Sequence, residues 1–349
     1  MNIPLDLGDR SYEVVLAEGA RHELAALIAK SVPKAKVAVI VTSPALRIQP
    51  WFDIESGLVQ HVVEVPDGES AKNFATLELL CTRLANLELS RHDVIIGVGG
   101  GAITDLTGFA AAVYLRGIAV VHIPTTLVGQ VDAAIGGKTA INLAAGKNLV
   151  GSFHQPIGVL CDFATLTTLP ERERRSGLGE VAKCWLLEER RASDLDGTPM
   201  NDLVTLSVSL KAAIVATDER EGGARALLNY GHTLGHAIEK LALARDVDEL
   251  RHGEAVAIGL AFAVRLAYEL ERVSSEEIAN HDDVLSTLGL SGRLPSHFAT
   301  SALIEAMGHD KKAHHDLAFV LPGSEGFEVV SGISPEVVSQ VLERFRGEL

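Results

Sequence analysis

A chain of 349 residues, 47% of them hydrophobic, carries more apolar material than one core usually absorbs, so two domains are expected. The formal net charge of −15 argues against a nucleic-acid or membrane partner, either of which would select a basic surface, and leaves room for a small anionic substrate held by a local cluster of Lys and Arg. Cys81, Cys161 and Cys184 form no disulfide framework, no basic-then-apolar leader opens the chain, and the apolar run at residues 255–264 is too short for a bilayer; a cytoplasmic location is expected.

In chain order, the first half alternates β-rich runs with amphipathic helices. Strands are expected at residues 12–16, 36–41, 59–65 and 93–98, and helices at 20–29 and 71–87. This alternation predicts an α/β nucleotide-binding domain with a largely parallel sheet. The strand at 93–98 runs into Gly99-Gly100-Gly101-Ala102 and a helical segment through Ala112. Glycines at a strand-to-helix turn let backbone amides approach a pyrophosphate. The motif arrives later than the first strand, so a nucleotide domain other than the common dinucleotide fold is implied. Asp67-Gly68-Glu69-Ser70-Ala71-Lys72 either adds ribose and phosphate contacts or is a turn with a helix cap.

Two stretches rich in glycine then carry Lys138 and Lys147, and Arg116 adds a third cation. Backbone amides and ammonium groups converging in such turns suit an anion. From Glu171 the pattern becomes helical, with segments near 177–188, 202–218, 229–243, 253–270, 275–288 and 301–307, a β-like piece at 318–321 and a last helix from Pro335. Pro170 punctuates the change, giving domains of 1–170 and 171–349, the second all-α and metal-binding.

Residues 228–239, Leu-Asn-Tyr-Gly-His-Thr-Leu-Gly-His-Ala-Ile-Glu, put His232 and His236 on one helix face. Both could ligate a divalent metal, or one could ligate while the other moves a proton. His252 and Glu180 are the further ligand candidates, each in an apolar segment where an unpaired polar group is costly. One Glu and two His would leave coordination positions open, as catalytic sites do. Two histidines four residues apart are often plain surface residues; Glu180, Lys183, His252, Arg225 and Asn229 in the same half weigh against that here.

Taken together, residues 66–312 resemble the dehydroquinate synthases and their sugar-phosphate cyclase relatives. The resemblance implies an N-terminal NAD-binding α/β domain, a helical metal domain, and closure of a seven-carbon sugar acid phosphate to a carbocycle with loss of phosphate. It implies Glu180, His232 and His252 as ligands of a divalent metal, zinc or cobalt, with His236 beside them as a catalytic and phosphate-contacting group. Asp67, Glu69, Lys72, Gly100, Gly101, Asp105, Thr125 and Thr126 fall on NAD-contacting motifs, with Lys147, Thr165 and Thr168 near the same cofactor. Asp132, Lys138, Asn148 and Lys183 match catalytic or substrate positions, and Lys211, Arg225, Asn229, Lys311 and Lys312 substrate positions. Arg116 matches a residue that reaches a neighbouring active site, which implies a homodimer. The family's usual Thr-Asp after the second strand is Thr42-Ser43 here, and the link from Glu180 to Lys211 is short.

Retention of Lys211, Arg225, Asn229 and the Lys311-Lys312 pair favours a carboxylated substrate over those of valiolone- and inosose-forming cyclases. Dehydroquinate synthesis is placed first, with an aminodehydroquinate synthase acting on the amino analogue as its close competitor. A metal-dependent glycerol-type alcohol dehydrogenase would not need the carboxylate and phosphate clamps. A retired cyclase acting as a binding subunit is disfavoured because no ligand position is lost.

Overall fold

The computed structural model describes residues 1–244, 250–308 and 317–348. Two compact units divide the chain: Met1–Pro170 with Lys211–Arg220, and Glu171–Leu210 with Glu221–Leu349. Lys211, expected among residues 171–349, therefore groups with the α/β unit.

The α/β unit is built on a seven-stranded sheet in the order β1-β2-β9-β6-β5-β3-β4, where β1 is Asn2–Leu5, β2 Tyr12–Ala17, β3 Val37–Thr42, β4 Val59–Glu64, β5 Val94–Gly99, β6 Ala119–Pro124 and β9 Gly158–Asp162. Every pair is parallel except the β1–β2 edge. β5, Val-Ile-Ile-Gly-Val-Gly, is buried along its whole length, as expected of a central strand covered on both faces. One apolar cluster, with Leu80, Leu106 and Ala110, packs helices α3 (Phe74–Asn86) and α4 (Gly101–Val113) on one face; the other, with Leu24, Ile28 and Trp51, packs α1 (Leu24–Ser31) on the opposite face, and the short α2 (Pro44–Arg47) follows β3. The chain runs from β3 outward to β4, then crosses back to β5 and on to β6. The carboxyl ends of β3 and β5 therefore flank a topological switch point, where open α/β sheets bind ligands.

β7 (Lys138–Leu143) and β8 (Gly146–Phe153) form a separate hairpin. Before it, Gly129–Ala133 makes one turn of π-helix, closed by the Ala134 amide donating to the Gly129 carbonyl at 3.1 Å.

In the helical unit, α5 (Glu171–Leu187), α7 (His232–Ala244), α9 (Ser275–Thr287) and α11 (Pro335–Glu348) pack on α8 (His252–Glu269), which is apolar almost all round, and α10 (Thr300–Met307) packs on α7 and α11. α6 (Met200–Thr217) is the one described helix long and apolar enough to cross a membrane by length and composition, contrary to the expectation that no run reached that length; Leu203, Val204, Ser207 and Val208 along it are buried. The unit also carries one hairpin, β10 (Leu317–Gly323) with β11 (Gly326–Ile333), of which the sequence had located only part of the first strand.

Candidate metal centre and nucleotide crevice

Three helices bring the donor set of the helical unit together because glycines let their backbones touch. A Cβ built on Gly253 would lie 1.6 Å from the Ser176 carbonyl oxygen, and one on Gly259 1.8 Å from that of Gly231. Only glycine fits either contact. These glycines, or their contact partners, neighbour the ligand candidates: Gly179 precedes Glu180, Gly231 precedes His232, and Gly253 follows His252.

Glu180 lies at the centre, 1% exposed. Its Oε1 is 2.9 Å from His252 Nε2 and 3.3 Å from His232 Nε2, and Lys183 Nζ lies 2.5 Å from Oε2. That last contact is an ion pair by distance but is not aligned as a hydrogen bond, so Oε2 remains a buried acceptor without a hydrogen-bond donor. Burial pushes the Glu180 carboxyl up, but Lys183 and both histidines outweigh it and hold the group well below the carboxylate range, so it is ionised.

Desolvation lowers His252, yet its hydrogen bonds to Glu180 and Glu239 raise it to about 10. A cation here would take the place of the proton between His252 Nε2 and Glu180. The donor atoms of Glu180, His232 and His252 all lie within 4.8 Å of one another. The Glu180 carboxylate and two imidazoles turned toward its Oε1 fit a divalent cation with open positions.

His236 sits one turn beyond His232, with ring centroids 5.1 Å apart and its own ring partly open to solvent. Desolvation and then repulsion by His232 lower it to about 4, which leaves the ring neutral at pH 7 and able to take a proton. Arg225 is buried in the same unit, and Asn229 Nδ2 donates to Glu221 at 2.8 Å. Lys311 and Lys312 lie outside the described residues.

In the α/β unit, Gly100 and Gly101 open α4 at the end of β5, and Thr125 and Thr126 follow β6, where the Thr125 amide donates to the Gly99 carbonyl at 3.0 Å. A Cβ on Gly100 would meet Thr126 Cγ2 at 2.9 Å. Thr42, Ser43 and Thr125 bury hydroxyls that have no hydrogen-bond partner among the described residues. Glycine-lined turns, a helix N-terminus and unanswered hydroxyls at a switch point fit a dinucleotide.

Asp67 caps the short turn Gly68–Ala71 by accepting from the Gly68 amide, and Glu69 accepts from Asn142 Nδ2 at 2.6 Å. Lys72 Nζ donates to Asp105 at 2.6 Å and to Asn148 at 2.5 Å, so Asn148 joins the residues expected at the cofactor. Burial raises Asp105 to about 6 against the opposing charge of Lys72. The π-turn presents Asp132, whose carboxylate and carbonyl accept from Lys211 Nζ at 2.5 and 2.7 Å. Thr165 accepts from Gln130, and Thr168 from the Trp51 indole at 2.8 Å. Lys138, Lys147 and Arg116 are exposed, Arg116 in a left-handed conformation (φ 67°) directly after Leu115 (φ 50°).

The sequence reading missed Glu239 and Tyr230. The Tyr230 carbonyl accepts from His232 Nδ1 at 3.1 Å, and its hydroxyl donates to His281 Nε2 at 2.7 Å. The signal for Glu239 was available: it lies three residues after His236 and seven after His232, on the same helix face.

The sequence profile of the 3-dehydroquinate synthase N-terminal region matches residues 62–176, and that of the C-terminal region residues 177–313. The chain belongs to the 3-dehydroquinate synthase family. It is 47% identical over 342 residues, 98% of this chain and 94% of the other, to a protein of Amycolatopsis mediterranei provisionally named an aminodehydroquinate synthase. Over 319 residues, 87% of this chain and 86% of the other, it is 41% identical to the 3-dehydroquinate synthase of Mycobacterium leprae. Among solved structures it resembles the 2-epi-5-epi-valiolone synthase of Streptomyces hygroscopicus with NAD+ and Zn2+ bound, at a TM-score of 0.79 and 26% identity over 99% of both chains.

Proposed function

We propose that this chain closes a 3-deoxy-heptulosonate 7-phosphate of seven carbons into 3-dehydroquinate, eliminating phosphate, with NAD and a zinc or cobalt ion as cofactors. The observation that carries this is the Glu180, His232 and His252 donor set, its first two members buried, with Lys183 against it, in a chain of this family. When bound, NAD would take a hydride from a substrate carbinol and return it, and the cation would polarise a substrate hydroxyl.

The chain's own residues bind, orient and move protons. His236, neutral at pH 7, is assigned proton transfer at a ring nitrogen and contact with the phosphate, the latter together with Lys138 and Asn148. Lys211, Arg225, Asn229 and the Lys311-Lys312 pair are assigned to the substrate carboxylate, Arg225 being suited to a bidentate contact. Asp132 orients Lys211 through their ion pair, and Lys183 balances the charge of Glu180. Asp67, Glu69, Lys72, Gly100, Gly101, Asp105, Thr125, Thr126, Lys147, Thr165 and Thr168 are assigned to NAD. The domains 1–170 and 171–349 divide these tasks. A cytoplasmic homodimer without nucleic-acid or membrane partners, in which Arg116 serves the neighbouring site, completes the proposal.

A second assignment, aminodehydroquinate synthesis, is supported by the 47% identity to the Amycolatopsis protein. The glycerol dehydrogenase of Schizosaccharomyces pombe is more distant, at a TM-score of 0.65 and 16% identity. Phosphate release with NAD and Co2+, from the hydroxy substrate and its amino analogue in separate and competing reactions, separates these. Release from the hydroxy substrate without net NADH is expected. Release from the amino analogue alone would move the chain to the second assignment, and release from neither would remove both.

A further inference from the structure

The two histidines of the donor set are held in the same way but by different partners. Each turns Nε2 toward Glu180 Oε1 and Nδ1 away from it. Behind His232 stands a backbone carbonyl, that of Tyr230; behind His252 stands the Glu239 carboxylate, with Oε2 3.1 Å from Nδ1. A carboxylate oxygen accepts, so this contact favours a proton on Nδ1 of His252 and leaves Nε2 as the ring nitrogen that faces the cation site. His252 is also the looser ring, its side chain 30% exposed against 10% for His232, and it opens α8 where few backbone hydrogen bonds restrain it.

We propose that Glu239 is the positioning residue of the metal centre, fixing the ring and tautomer of His252 so that Nε2 faces the cation. This rests on the metal-binding function proposed above. A carboxylate behind a metal-bound imidazole holds its orientation and increases its basicity as a ligand, and losing such a partner weakens metal affinity about 10–100-fold. Glu239 reaches His252 because it follows His236 by three residues on the face of α7 that carries His232, and α7 packs beside the start of α8. The same geometry admits one competing role. His236, Glu239 and His252 also offer donor atoms within 4.8 Å of one another, which would make Glu239 a direct ligand of a second ion.

Co2+ titration of the metal-free full-length protein, followed by visible absorbance and by competition with a chelator, distinguishes these. The unaltered protein is expected to bind one Co2+ per chain. Glu239→Ala is expected to keep that stoichiometry, weaken affinity 10–100-fold and leave the melting temperature of the metal-free protein unchanged. Glu239→Gln, whose amide oxygen can still accept from Nδ1 without the charge, is expected to fall between the two, and it carries the comparison if the alanine variant does not fold. Equal affinity in both variants and the unaltered protein would overturn the proposal. So would two Co2+ per chain falling to one in Glu239→Ala, since Glu239 would then be a ligand. Failure of the unaltered protein to bind Co2+ would instead remove the metal centre itself, and the positioning role with it.

Discussion

At the carboxyl edge of the sheet the polar groups are mostly backbone amides and hydroxyls, and buried Lys72 is neutralised by the half-buried Asp105. In the helical unit the polar groups are mostly ionisable side chains around one carboxylate, and the backbone contributes by letting helices touch and by placing the Tyr230 carbonyl behind His232. The crevice follows from strand order. The metal centre follows from four side chains and two glycine contacts, and tolerates little.

Single substitutions can break this contrast. The largest effect is expected from His252→Ala, with bound metal and phosphate release both falling more than about 100-fold, since a direct ligand matters more than its supporting partner. Unchanged metal content with unchanged activity would remove His252 from the site.

Next comes a pH effect in the sheet unit. His122 is fully enclosed, with a ring nitrogen that lacks a hydrogen-bond partner among the described residues, and desolvation, then repulsion by His154, lower it to about 3. A depressed folded-state pKa contributes stability that is complete above the unfolded value of about 6.5 and is lost as pH falls toward 3, roughly 4 kcal/mol over that window. Urea unfolding at pH 7 and pH 4 should show His122→Gln losing less stability on acidification than the unaltered protein. Parallel acid limbs would exclude His122 as their cause.

Gly253→Ala should lower unfolding free energy by about 3 kcal/mol and release metal, because its methyl meets the Ser176 backbone. Gly68→Ala in the sheet unit meets open space at φ +63° and should cost only about 1 kcal/mol. Equal melting shifts would show that helix contact is not what Gly253 provides.

The smallest effect is Lys72→Met, about 2 kcal/mol after allowing for the partly exposed Asp105 carboxyl. Asp105 titrates near 6, above its ordinary value, so its favourable contribution is complete below about pH 4 and is lost as pH rises through 6. Removing Lys72 raises Asp105 further. Thermal melts of the variant should therefore show a larger deficit at pH 8 than at pH 5, and a deficit independent of pH would break the pairing.

Much of the architecture was legible because its signals are local. The β-branched run of β3 and the apolar run of β5 announce buried parallel strands, and the change of period after Pro170 announces helices. β7 and β8 were read as anion-binding turns because glycines precede β7 and open β8, β8 is largely exposed, and β7 buries only Thr139 and Ile141, too short an alternation to register. Lys211 groups with the α/β unit and pairs there with Asp132, 79 residues away, which no window can register. At the candidate site, residue types and helical spacing were readable. What was not readable is which partner stands behind each imidazole, since a backbone carbonyl leaves no residue type to notice.

The π-turn at Gly129–Ala133 adds a constraint of phase. Each residue advances a helix by about 100°, so deleting one here would convert the turn to an ordinary one and swing Asp132 away from Lys211, even with every side chain retained. Exchange and deletion are thus unequal events at this point. In aligning related chains, the stretch serves as a fixed comma: letters on either side can drift, but a gap of one placed there alters the sense of what surrounds it.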